Sequence, residues 1–198
     1  NPSGTYVTNE ELVQFLKQVP SHVLVVLDEA YKEYVVAEDF PDSIALLKNF
    51  SNLMVLRTFS KAYGLAALRV GFGVGNETLV TRLNAVREPF NNVRMSQFAA
   101  TAALSDEAFI EQCRIKNRAG LDKFYAFCKE NGLKYYPSQT NFILIDMEKP
   151  GDEVFEALLK QGYIVRSGEA LGFPTCVRIT VGTEEEVDGV IASLKQLL

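Results

Sequence analysis

Val23 to Leu27 is the longest unbroken aliphatic run in the chain, and it ends abruptly in the acidic pair Asp28-Glu29. A continuous β-rich run of this length is the pattern of a parallel strand buried on both faces. It falls far short of the roughly 20 residues that a membrane helix needs. The segment before it reads as a helix over Thr8 to Val19: Thr8 is the N-cap, Glu11 completes a capping box, and Leu12, Phe15, Leu16 and Val19 share one face before Pro20 stops it. A short helix at Ile44 to Asn49, a second buried strand at Leu53 to Arg57 and a third at Val70 to Gly75 follow. Helix alternating with strand predicts an α/β sheet covered on both sides. The stretch from Lys61 to Arg69 is shorter than a helical crossover of about a dozen residues, so the third strand enters antiparallel.

Beyond Gly75 comes a long helical stretch, Ser96 to Leu104 and then Asp106 to Asn131, closed by Gly132. A compact pattern ends the chain: strand Asn141 to Asp146, helix Gly151 to Gln161, strands Tyr163 to Arg166 and Cys176 to Val181, and helix Glu184 to Leu198. The expected division is therefore 1–95 as part of a large sheet domain, 96–131 as a connecting helix, and 132–198 as a small α/β domain.

Composition narrows the function. The 198 residues carry a formal charge of −5 and no long basic block, which argues against nucleic acid as a partner. No charged-then-apolar leader is present, and the reading is a soluble protein. Cys113, Cys128 and Cys176 are widely spaced and form no C-x-x-C pair, and His22 is the single histidine. A zinc cluster, a disulfide framework and a nucleophile-histidine-acid triad are thus poorly supported, and the thiols read as idle in a reducing cytoplasm. Asn1-Pro2-Ser3-Gly4-Thr5 has the make-up of a turn between two elements and reads as the middle of a longer chain.

Ligands of open α/β sheets bind beyond the carboxyl ends of parallel strands. The first strand delivers Asp28, Ala30 and Tyr31 there; the second delivers Thr58, Ser60 and Lys61, with Arg69 eight residues after the lysine. An acid, a phenol, a lysine flanked by hydroxyls and an arginine suit a lysine that forms a Schiff base with an aldehyde cofactor bearing a phosphate. Taken singly, each residue has a plainer reading: Asp28 as a helix N-cap or a metal or phosphate ligand, Lys61 as a solvated loop lysine, Arg69 as an ion-pair partner.

Together, Asn1-Pro2-Ser3-Gly4, Asp28-Glu29-Ala30-Tyr31 and the run from Thr58 to Gly71 (TFSKAYGLAALRVG) resemble the signature of fold-type I, pyridoxal-phosphate-dependent aminotransferases. Val165-Arg166 and the run from Val177 to Thr183 resemble the histidinol-phosphate aminotransferase branch of class II. The resemblance implies part of a large domain with a mostly parallel sheet and helices on both faces, plus a small C-terminal α/β domain. It implies that Lys61 bonds the cofactor aldehyde and moves a proton, that Asp28 pairs with the pyridine nitrogen, and that Tyr31 and Asn1 bond the ring's 3′ oxygen. Ala30 would pack on a ring face, while Thr58, Ser60 and Arg69 hold the phosphate; Arg166 and Arg178 would meet the anionic group of the substrate.

The implied reaction passes the amino group of histidinol phosphate to 2-oxoglutarate, giving glutamate, in histidine biosynthesis within a cytoplasmic homodimer. An aromatic amino-acid aminotransferase, a phosphothreonine decarboxylase and a pyridoxal-phosphate-sensing domain of a transcription regulator are the alternatives. The resemblance covers only the second half of such an enzyme, so this chain by itself is expected to hold the cofactor weakly and to be inactive.

Overall fold

The computed structural model describes all residues from Asn1 to Leu198. Contacts divide the chain into two units: Val7–Glu111, and Gln112–Leu198 together with Asn1–Tyr6.

The unit over Val7–Glu111 is built on helix α1 (Asn9–Gln18) and three strands, β1 (Val25–Asp28), β2 (Leu53–Thr58) and β3 (Gly71–Gly75), in the order β1-β2-β3. Thr8 caps α1 through the expected capping box, its hydroxyl accepting from the Glu11 N–H while the Glu11 carboxylate accepts from the Thr8 N–H. Strand β1 runs parallel to β2, with Asp28 opposite Leu56, and β3 returns antiparallel to β2 as the short connection requires.

Side chains alternate across a strand, and the burial follows that period. Val25, Leu27, Leu53 and Val55 pack with Leu12 and Leu16 of α1 and with Leu46, Leu47 and Phe50. The other face is open: Leu24, Val26 and Leu56 are 44%, 51% and 37% exposed. The expectation that β1 is buried on both faces is therefore corrected. Its apolar run does not alternate in polarity, yet only one of its faces is covered in this chain.

Helices α2 (Ser43–Leu46), α3 (Glu77–Val86) and α4 (Arg94–Leu104) complete this unit, and α5 (Glu107–Glu130) crosses the dividing point in its first turns. The second of these is absent from the sequence reading. It starts at Asn76, whose side chain accepts from the Thr78 N–H; Leu79, Val80, Leu83 and Val86 recur at helical spacing, yet all of its residues are at least partly exposed.

The unit of Gln112–Leu198 holds β4 (Tyr135–Tyr136), β5 (Phe142–Asp146), α6 (Gly151–Lys160), β6 (Arg166–Ser167), β7 (Cys176–Thr180) and α7 (Glu184–Lys195). Its sheet is antiparallel throughout in the order β4-β5-β7-β6. Phe124 and Leu121 of α5, Ile143 and Ile145 of β5, Val177 and Ile179 of β7, Leu158 of α6 and Leu194 of α7 form one continuous core. Gly132 ends α5 with φ +68°, and Leu133 N–H donates back to Cys128 C=O at 2.9 Å.

The structure cuts the chain elsewhere than at residues 95 and 131. Ala100 and Ala103 of α4 pack with Phe59 and Val70, which keeps this helix with the first sheet. The first residues join the second unit because Gln139 N–H donates to Gly4 C=O at 2.9 Å. Gly4 itself, at φ +84°, would place an added Cβ 2.5 Å from Ser138 Oγ, so only glycine fits that turn.

Phe124 is fully buried at the centre of the second core. Phe124→Ala is expected to lower the unfolding free energy of that unit by about 3–5 kcal/mol, read as a lowered urea midpoint.

Candidate active site

Parallel pairing brings the carboxyl ends of β1 and β2 to one edge of the first sheet. Asp28 and Thr58 end the two strands in phase with Val26 and Leu56, on the open face. Asp28 Oδ1 accepts from the Ala30 N–H at 2.9 Å, closing a turn that leads directly into Tyr31. Thr58 Oγ1 accepts in the same way from the Ser60 N–H at 3.0 Å. These two tight turns set where Tyr31 and Lys61 leave the edge, and they bring them together: Lys61 Nζ lies 5.4 Å from the centroid of the Tyr31 ring.

The segment from Phe59 to Val70 is a closed loop. Phe59 N–H donates to Val70 C=O at 3.1 Å across its base, and Leu65 N–H returns to Phe59 C=O at 2.9 Å. Phe59 and Val70 are buried with Ala100, so the loop is anchored by apolar packing at its root while Lys61 stays exposed. Ser96 Oγ, fully buried, donates to Leu68 C=O at 2.7 Å and fixes the far side. Arg69 follows with φ +50°, a left-handed conformation that is uncommon and costs about 1 kcal/mol for a residue with a Cβ. Its Nη1 donates to Ala66 C=O at 2.8 Å.

Asn1, Arg166 and Arg178 belong to the other unit. Arg178 on β7 faces Arg166 on β6 as a direct cross-strand partner. Like charges in that position repel. Arg178 is also held in place: Nη1 donates to Asn1 Oδ1 at 2.9 Å, and the guanidinium stacks 4.8 Å from the Phe142 ring centroid. Sequence reasoning had not included Phe142 in this site. The alternation of β5 against β7 is the signal that would have found it.

A second omission is Glu29. The step of the register after Asp28 and Leu56 sets Glu29 beside Arg57, and Arg57 Nη2 lies 2.9 Å from Glu29 Oε2. The acidic pair was visible at the strand end; that its second member points back into the covered face follows only from the period of two. Close by, burial pushes the Glu33 carboxyl above the ordinary glutamate range and the Glu29 charge adds to the rise, while a hydrogen bond to its own backbone and the Arg57 charge oppose it. Burial likewise raises the Tyr63 phenol, with a further push from Glu33.

All three cysteines are free thiols. Burial pushes Cys128 up to about 12, far from the thiolate form a nucleophile needs. No group of three or more histidine, cysteine or carboxylate side chains is placed to hold a metal ion, and no helix is long and apolar enough to cross a membrane.

A parallel strand pair with turn-forming polar groups at its carboxyl edge is the make-up of an α/β ligand-binding domain. The sequence pattern of the "Aminotransferase class I and II" family matches residues 1–194, and the chain belongs to that family. It is 60% identical over all 198 residues to a histidinol-phosphate aminotransferase of Bacillus subtilis (strain 168), of which it covers 55%. The chain thus spans about half the length of the curated relatives it matches.

Among solved structures, it superposes with a TM-score of 0.87 and 29% identity on histidinol-phosphate aminotransferase from Sinorhizobium meliloti in complex with pyridoxal-5'-phosphate, covering all of this chain and 56% of that one. L-threonine-O-3-phosphate decarboxylase from Porphyromonas gingivalis matches with a TM-score of 0.83 and 25% identity, over 100% of this chain and 61% of the other. These likenesses bear out the fold-type I reading. The architecture is a partial α/β sheet domain with a small α/β domain after it.

Glu33 gives a pH test of the edge. Its folded carboxyl titrates above the unfolded value of about 4.3, so its ionisation destabilises the fold as pH rises through the folded value, and the penalty is absent below the unfolded one. Glu33→Gln is expected to raise the thermal midpoint at pH 8 and to leave it unchanged near pH 4, as read by circular dichroism.

Proposed function

We propose that this chain is the lysine-bearing part of a pyridoxal-phosphate-dependent aminotransferase that acts on an amino compound with an anionic tail, histidinol phosphate, with 2-oxoglutarate and glutamate as the second pair. The observation that carries this is the shared edge of β1 and β2, which sets Lys61 beside Tyr31 at the strand end that bears Asp28. The donor set fits the cofactor. Lys61 is exposed and has no salt-bridge partner, Asp28 spends one oxygen on the Ala30 N–H, and the Thr58 hydroxyl, while accepting from Ser60, keeps its own hydrogen to donate.

Pyridoxal phosphate, when bound, supplies an aldehyde that takes up the amino group and a protonated ring that draws electrons from the reacting carbon. Lys61 would hold that aldehyde and, once released, would move the proton at the reacting carbon. Asp28 would accept from the ring N–H and favour its protonated form, and Tyr31 would donate to the ring's 3′ oxygen. Asn1 has its Oδ1 engaged by Arg178, which leaves its amide N–H groups as donors.

Ala30, small and partly buried after the Asp28 turn, would pack against one face of the ring. Thr58, Ser60 and Arg69 would bind the phosphate, Arg69 by a charge-assisted contact. Arg178 and Arg166 bind the substrate's anionic group, which neutralises two opposed charges at once. We place the protein in the cytoplasm as a homodimer of the complete chain, with no nucleic-acid or membrane partner.

The decarboxylase neighbour shows that the same scaffold is compatible with a different outcome, so the product decides. The complete protein supplied with histidinol phosphate and 2-oxoglutarate is expected to yield glutamate, and Lys61→Ala to lose at least about 100-fold of that rate. Release of carbon dioxide from phosphothreonine, with no glutamate formed from histidinol phosphate, would instead assign the decarboxylase.

A further inference from the structure

The Glu29–Arg57 ion pair has no part in the roles given above, and it is costly as a mere fastening. Arg57 donates from Nε and Nη2 to the same oxygen, Glu29 Oε2, at 3.0 and 2.9 Å. The Glu29 side chain is 1% exposed and that of Arg57 24%. Glu29 Oε1 is buried with no hydrogen-bond partner. Apolar residues of similar volume commonly replace such a pair with no loss of stability, and a buried carboxylate oxygen left without a donor is rare enough to need a reason.

The placement supplies one. Glu29 and Arg57 lie in phase with Leu27 and Val55, on the covered face, whereas Asp28 and Thr58, each one peptide bond away, lie on the open face. The pair joins the two strands at the last ladder bond, Glu29 N–H to Leu56 C=O at 2.9 Å, where a parallel ladder would otherwise fray into the two turns. A fixed guanidinium fork restricts both the distance and the angle between the strand ends more than apolar packing does.

We infer that Glu29 and Arg57 are positioning residues: from the covered face of the sheet they fix Asp28 relative to Thr58, Ser60 and Lys61 on the open face. The inference rests on the cofactor reading above. It assigns the pair to the alignment of the ring-nitrogen partner with the lysine, through the backbone, without contact to cofactor or substrate.

The test compares the complete protein with Arg57→Met, with Arg57→Lys and with the double variant Glu29→Leu/Arg57→Met, which leaves no unpaired buried charge. Three quantities are read: the thermal midpoint without cofactor, the dissociation constant of pyridoxal phosphate from its Lys61-linked visible absorbance, and the pH at which that band shifts. Arg57→Met is expected to lower the midpoint. The double variant is expected to recover most of it while binding the cofactor at least about tenfold more weakly, with a displaced band pH, a split that a purely structural pair would not give.

Arg57→Lys keeps the charge and loses the fork, and it is expected to weaken cofactor binding several-fold; it decides the matter if the double variant does not fold. Unsubstituted affinity and band pH in whichever of these two variants is folded overturn the positioning role alone. A complete, unsubstituted protein that gives no Lys61-linked band overturns the cofactor reading itself.

Discussion

The parallel ladder between Val25–Asp28 and Leu53–Thr58 is the constraint on which the rest of the first unit depends. A parallel pair brings both strands to the same edge at their carboxyl ends, and chain segments far apart in sequence then deliver side chains to one place. Apolar packing against α1 sets the register on one face. That register in turn dictates which end residues face the open side, because a slip of one residue would exchange Asp28 for Glu29 and Thr58 for Arg57. A one-residue slip of β1 would also carry Asp28 to the covered face, among Leu12, Leu16 and their neighbours.

Lys61 combines two demands that usually conflict, being held in place and remaining accessible. Its loop meets both by dividing the work. Phe59 and Val70 bury the root, the bonds Phe59 to Val70 and Leu65 to Phe59 close the base, and Ser96 ties down Leu68. The lysine itself is left with an aromatic neighbour and no carboxylate partner. In the other unit, the opposed arginines of β6 and β7 represent the same economy. One of them is held in place by Asn1 and Phe142 despite the opposed charge.

Much of this was legible in the residues. The capping box at Thr8, the antiparallel return of β3 and the delivery of Asp28 and Lys61 to one edge follow from local pattern and connection length. The run from Thr58 to Gly71 carried the family resemblance because its chemistry is local in sequence. What escaped is what depends on partners distant along the chain. Glu29 differs from its neighbour Asp28 only in which face it occupies, and Arg57 had been read as the end of a strand. The short β6, reduced to Arg166–Ser167 from the expected Tyr163–Arg166, is set by its pairing with β7. Helix α3 was legible in the spacing of Leu79, Val80, Leu83 and Val86, though none of its residues is buried, and the exposed side of β1 carries the same Val and Leu residues that a covered side would.

The central claim is that the β1–β2 edge makes Lys61 the residue that receives the cofactor. The most direct measurement is borohydride reduction of the complete protein with pyridoxal phosphate, followed by peptide mass spectrometry. The account predicts a pyridoxyl group on Lys61 at one equivalent per chain, with Lys32 and Lys48 unmodified. A stoichiometric label on another lysine, with Lys61 unmodified, would contradict it.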